Sequence, residues 1–167
     1  IEFMSTCELH CAFNMSYADC EVLSLAYADL SYRCVFILPK PDVPLDEFRR
    51  KLTGSDLHLL MTDTLCGKVN VTVPKFSLSA DMDGVRALGD AQVGELTRIG
   101  CRTIDAIKHK ALIEIGEEGV ATSVVSLNKF NRCLPKIPPP TQNFRADRPF
   151  IFGVIRDEHV LFLGQFC

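Results

Sequence analysis

The sequence has no surplus of basic charge. Its 18 Lys and Arg stand against 21 Asp and Glu, for a formal net charge of −3 and a pI near 5.8. That balance offers no electrostatic footing for a phosphate backbone, so nucleic-acid binding is not expected. Long apolar runs are missing too. The apolar stretches 34–38 and 149–155 are strand-sized, far short of the ~20 residues a membrane helix needs, and no membrane partner is expected. No basic stretch followed by an apolar run and a small-residue cleavage site opens the chain, so no secretory leader is read there. Ile1-Glu2-Phe3 ahead of Met4 reads as an added remnant or a mid-protein start, and is set aside from fold reasoning. The eight cysteines, at 7, 11, 20, 34, 66, 101, 133 and 167, stand singly, without the paired short-knuckle spacing of structural zinc sites. Cys7, His10, Cys11 and Cys20 come nearest to a ligand set and are read as free core thiols. Neither metal nor cofactor is expected. No internal repeat and no nucleophile–base set at a defined spacing appears, so catalysis is not indicated.

What is present suffices for a folded core. Across 167 residues, 47% hydrophobic and 23% charged content with a mean hydropathy of +0.14 excludes disorder as the general state and suits one domain's worth of chain. Residues 21–27 (EVLSLAY) alternate Val22, Ser24 and Ala26 with Leu23, Leu25 and Tyr27, the period of a strand. Asp29-Leu30-Ser31 makes a turn, and 32–38 (YRCVFIL) is a nearly continuous β-branched and aromatic run, the pattern of a strand covered on both faces. Pro39-Lys40-Pro41 ends it, because proline has no N–H to give a ladder. A hairpin is predicted. Leu45, Phe48 and Leu52 lie at helical spacing over 46–52, and Ser55 is placed to cap a second short helix that turns Leu57, Leu60 and Met61 inward.

Val69, Val71 and Val73 alternate with Asn70 and Thr72 in another strand. Pro74 then shifts the phase to Phe76 and Leu78, as a bulge or a strand changing sheets would. Residues 81–88 are compatible with a helix after an acidic cap, and 89–100 read as irregular. Periodicity alone fits 104–115 to helix and strand equally well. Segments 149–156 and 160–166, joined by Asp157-Glu158-His159, predict a closing hairpin of two apolar strands. Between them, 116–143 holds a small-residue entry (GEEGVATSVVS), then 128–134, then Pro135-Lys136-Ile137-Pro138-Pro139-Pro140, with no core periodicity. Most loops are ~4–6 residues long, so a connection of this length in a folded domain is where function is sought.

Four segments, in order, carry a family resemblance: CEVLSLAYADLSYRCVFILPK (20–40), VNVTVPKFSLS (69–79), IKHKALIEIGEEG (107–119) and FRADRPFIFGVIRDEHVLFLGQF (144–166). Together they resemble the C-terminal part of a serpin, a member of the serine protease inhibitor family. The resemblance reaches across nearly all of residues 11–166 and settles 107–115 as a strand. It implies an α+β fold whose distal part is mostly antiparallel β-sheet with a few short helices and a long exposed reactive loop at about 116–143. The family's domain is more than twice this long, so the chain is expected to be a partial serpin domain over 4–167, with apolar strand edges that favour self-association.

In serpins that loop is offered to a protease as a substrate. The enzyme's serine is held as an acyl ester while the loop inserts as a new strand into the central sheet. Small residues in the entering segment and a hinge glycine whose backbone swings without a Cβ penalty serve this step. Gly119 matches that glycine, with Glu117 and Glu118 before it and Val120 after it. The entering segment departs from the family's Thr and Ala run: here it is Val120-Ala121-Thr122-Ser123-Val124-Val125-Ser126, with Val124 and Val125 adding bulk on alternating faces. Counting forward from Gly119 places the scissile bond at Arg132 or Cys133, and counting back from Phe150 places it near Lys136. The Arg132-Cys133 bond is favoured, with Lys136 as the alternative reactive site, because a bond before Pro135 or Pro138 is a poor protease substrate. Arginine there implies a trypsin-like serine protease as partner, whose pocket offers a carboxylate to a guanidinium. His109, Glu114 and the acceptor triplets at Asn14 and Asn70 are read as strand residues. The family expectation for location is the extracellular space, with the cytoplasm as the alternative.

Overall fold

The hairpin of 20–39 is the centre of the architecture. A computed structural model describes residues 1–83, 108–116, 141–157 and 159–167. In chain order these form β1 (Phe3–Asn14), β2 (Cys20–Ala26), β3 (Tyr32–Pro39), α1 (Leu45–Lys51), α2 (Gly54–Thr62), β4 (Leu65–Pro74), β5 (Phe76–Asp83), β6 (Lys108–Ile115), β7 (Gln142–Arg145), β8 (Phe150–Arg156) and β9 (His159–Phe166). One sheet has seven strands in the order β7-β4-β1-β2-β3-β8-β9, and β5 and β6 form a second. Every pairing is antiparallel except β4 with β7. The chain divides into two units, residues 1–75 with 116–167, and residues 76–115. This is the α+β, mostly antiparallel arrangement expected of the sequence.

β2 and β3 pair from Cys20↔Pro39 to Ala26↔Arg33 around a turn in which the Ser31 N–H and hydroxyl both donate to Asp29 Oδ1, at 3.0 and 2.8 Å. Val35, Phe36, Ile37 and Leu38 are wholly buried, so the continuous apolar run does mark a strand covered on both faces. On one face Val22, Val35, Ile37, Ile151 and Ile155 meet Phe48 of α1 and Leu60 and Met61 of α2. Gly153 lets Met61 settle on the sheet, since a Cβ there would stand 2.7 Å from the Met61 methyl. On the other face Phe36 and Phe150 pack ring to ring at 5.7 Å.

Both predicted helices form, but Ser55 is not the cap of α2. Thr53 is: its hydroxyl accepts from the Asp56 N–H, and the Asp56 carboxylate accepts from the Thr53 N–H, closing a reciprocal box. Val69, Val71 and Val73 of β4 point into the core, and past Pro74 the chain does change sheets, entering β5. The predicted helix over 81–88 is corrected at its start. Asp81, Met82 and Asp83 continue β5, where Asp81 faces Lys110 and Asp83 faces Lys108 across the ladder, and opposite charges stabilise that register. The rest of that segment lies outside the described residues.

β1 was not legible. Its pairing with β4 slips between Thr6 and Leu9, Glu8 sits in the left-handed region at φ 49°, and the slip breaks the alternation that would have revealed a strand. Residues 2 and 3 take part in this sheet: Phe3 faces Pro74, and the Lys75 N–H donates to the Glu2 carbonyl at 2.8 Å.

Candidate functional site

The loop that the sequence singles out is approached by two stems, one in each unit. In the unit of residues 76–115, β6 pairs with β5 without a slip from Asp83↔Lys108 to Phe76↔Ile115. Lys108, His109, Lys110 and Glu114 are exposed along it and Ile115 is buried, so His109 faces Met82 across the ladder as a strand residue. The strand stops at Ile115, and Gly116 follows with open space where a Cβ would stand. Glu117, Glu118, Gly119, Val120, Arg132, Cys133 and Lys136 all lie outside the described residues.

The returning stem is β7, in the other unit. Gln142 and Asn143, assigned to the loop's end by sequence, belong to this strand. β7 runs parallel to β4 from Val69↔Gln142 to Thr72↔Arg145. Three kinds of contact hold it. The Asn70 side-chain amide donates to Asn143 Oδ1 at 2.8 Å, Phe144 is 1% exposed in the core, and the Ala146 N–H donates to the Thr72 carbonyl at 2.9 Å. The Arg145 guanidinium lies 5.6 Å over the Phe3 ring and its Nε donates to Asp147 at 2.9 Å. Arg148 then ties the chain to the central hairpin by donating to the Pro39 carbonyl at 2.6 Å, with Glu21 beside it. Asn70 also accepts from the N–H of Glu8 at 2.9 Å, so one side chain joins β1, β4 and β7. No sequence signal marks Asn70 and Asn143 as partners, because they stand 73 positions apart.

The other candidates separate. Cys7 and His10 are exposed, Cys11 is half-buried and Cys20 belongs to the core, and among the described residues no group of three His, Cys, Asp or Glu is placed to hold a metal ion. Burial pushes the Cys11 thiol up to about 12, with Cys66 nearby adding to the shift, and burial alone pushes Cys34 to about 12. Such thiols are poor nucleophiles near neutral pH. Asn70 and its triplet lie within β4 as expected, but the other triplet is corrected: Asn14 is the last residue of β1, buried and donating to the Asp63 carbonyl, while Met15 and Ser16 lie past the strand, where the Ser16 N–H and hydroxyl donate to Asn14 Oδ1.

Comparison with known proteins agrees with this architecture. The model of the family described as "Serpin (serine protease inhibitor)" matches residues 1–167. Serpin B7 of Homo sapiens is 31% identical over 170 residues, covering 92% of this chain and 43% of that protein. Iripin-2 of Ixodes ricinus is 29% identical over 159 residues, covering 87% and 39%. Among solved structures, maspin superposes with a TM-score of 0.75 at 18% identity, covering 99% of this chain and 47% of that one. Tengpin, a thermophilic serpin in its native state, gives 0.70 at 21% identity, covering 99% and 45%. The chain thus spans less than half the length of these relatives. With the family match running from the first residue to the last and the fold shared with solved serpins, this chain belongs to the serpin family.

Proposed function

We propose that this chain is the distal part of a suicide-substrate inhibitor of serine endopeptidases, with Arg132-Cys133 as the reactive bond and Glu117, Glu118, Gly119 and Val120 as the hinge. One observation carries the reading. The strand leading to the loop ends at Ile115, directly before Gly116 and the Glu-Glu-Gly hinge sequence, as loop entry in this family requires. The chain acts as substrate rather than catalyst: a protease serine attacks the Arg132 carbonyl carbon, the peptide nitrogen of Cys133 leaves with a proton, and the acyl ester is held while the loop inserts. Arg132 suits a pocket that presents a carboxylate, hence a trypsin-like target. Relatives include the leukocyte elastase inhibitor of Homo sapiens and intracellular coagulation inhibitor 2 of Tachypleus tridentatus, which favours inhibition as the family activity to be tested here. We propose the extracellular space as its location, with the cytoplasm as the alternative.

Val124 and Val125 favour a second reading, a serpin-like binding protein that does not inhibit, because bulk on both faces of the entering segment slows insertion. Incubating the longest native form of this chain with trypsin separates the two. Inhibition gives a covalent adduct that survives SDS and is lost in Arg132→Ala. Clean cleavage after Arg132 with no adduct and no rise in melting temperature rejects inhibition and leaves the binding protein.

A further inference from the structure

We infer that Asn70 is a positioning residue that ties the bulge of β1 to the loop's returning stem, so that the two open and close together. Both elements need a tie. β7 has four residues and, among the described residues, one ladder, the parallel one with β4. β1 slips against β4 between Thr6 and Leu9, and there Glu8 holds φ 49°, a left-handed conformation that a residue with a Cβ keeps only where its surroundings impose it. Cys7 and Glu8 have no partner in that register, and the Glu8 N–H donates instead to Asn70 Oδ1 at 2.9 Å.

Chemistry then fixes the direction of the next bond. A backbone N–H only donates, so the oxygen of the Asn70 carboxamide is committed to β1 and its nitrogen is left to face β7. That nitrogen donates to Asn143 Oδ1 at 2.8 Å, which obliges Asn143 to accept. A half-turn of the planar carboxamide about its Cβ–Cγ bond exchanges oxygen and nitrogen, so Asn70 cannot turn to suit one partner without failing the other. Loss of Asn143 therefore frees Asn70 to leave Glu8, and loss of the Glu8 bond frees it to leave Asn143, to the same extent in each direction. The neighbours of Asn70 on the same face of β4 do not replace it. Thr72 is engaged with the Ser5 hydroxyl at 3.1 Å, and Lys68 donates to the Glu8 carboxylate at 2.8 Å. The coupling stands without the inhibitor reading; its bearing on how the loop's far end is held during inhibition rests on that reading.

Amide hydrogen exchange in the longest native form of this chain tests it. The Ala146 N–H, bonded to the Thr72 carbonyl, reports β7, and the Glu8 N–H reports the bulge. The Tyr27 N–H, bonded to the Tyr32 carbonyl at 3.0 Å, reports the central hairpin. Asn143→Leu speeds exchange at Ala146 and at Glu8 alike, by about threefold or more, and leaves Tyr27 unchanged. Aspartate matches asparagine in shape and so separates polarity from packing. Asn143→Asp still accepts, and beside Asn70→Asp the Asn143 amide turns to donate, so each single variant keeps both amides protected. The two together set carboxylate against carboxylate, and exchange at both amides rises by more than the product of the single effects. Faster exchange at Ala146 with Glu8 unmoved overturns the coupling. So does an equal rise at Tyr27, which is a loss of stability throughout, and so does an absence of change at all three amides. A single aspartate variant that loosens both amides as much as Asn143→Leu, or a double variant that only multiplies the single effects, overturns it equally.

Discussion

Phe150 opens β8, the strand that follows the loop's returning stem, and replacing it measures how firmly that strand is anchored. Its side chain is wholly buried, with Phe36 at 5.7 Å and 57° on one side and Phe166 stacked at 5.1 Å and 21° on the other. Phe150→Ala removes the ring from both pairs and leaves a cavity between three strands, a loss of about 3–5 kcal/mol. Domains of this size hold only about 5–15 kcal/mol in total, so at least a fifth of the stability goes with one ring. Phe150→Leu keeps most of the volume and costs about 1 kcal/mol. Urea unfolding followed by far-UV circular dichroism reads the difference. At a denaturant slope of about 2 kcal/mol per molar, the alanine variant shifts the midpoint by about 2 M and the leucine variant by about 0.5 M. The sequence contains no tryptophan, so dichroism rather than tryptophan fluorescence is the probe. Equal, small shifts for the two variants would refute the placement of Phe150 at the centre of this core.

Thr53→Ala destabilises by about 1 kcal/mol because the cap of α2 is lost, whereas Ser55→Ala is near neutral; a larger loss at Ser55 in thermal melts would restore the cap first read from sequence. The hydroxyl of Ser24 is buried and meets no hydrogen-bond partner among the described residues, so Ser24→Ala raises stability by about 1 kcal/mol, and a lower melting temperature would show an unseen partner. Among the cysteines of the described residues, site-resolved alkylation near neutral pH labels Cys7, Cys66 and Cys167 first, and Cys34 last. Burial lifts Cys34 from 9.0 to about 12 and Cys20 from 9.0 to about 11. Those raised values also set a pH dependence: the neutral thiol is favoured in the fold, so this stability is present below about pH 9 and is lost as pH climbs towards 12. A melting temperature that stays flat from about pH 8 to about pH 11 would contradict it.

The local signals that proved legible were those a single strand carries within itself. The unbroken run 34–38 announced a strand buried on both faces, Val69, Val71 and Val73 announced one buried on one face, and Pro74 marked the change of sheet. The proposed hinge rests on resemblance, since Glu117, Glu118 and Gly119 carry no periodicity of their own. Where a signal depended on a partner, it was missed. β1 hides behind its bulge, Thr53 is a cap only because Asp56 answers it, and Asp81 and Asp83 look like a helix start until Lys110 and Lys108 stand opposite them.

β8 and β9 divide the two kinds of information. PFIFGVIR and VLFLGQF are alike as sequences, and the sequence alone determined that both are apolar strands joined in a hairpin. Only the tertiary structure decided that β8 lies between two strands and is buried, while β9 stands at the end of the sheet with its leucines half open to water. The reason is physical: alternation and apolar content record how much burial a strand can use, but which strand lies beside it depends on pairings between residues far apart in the chain.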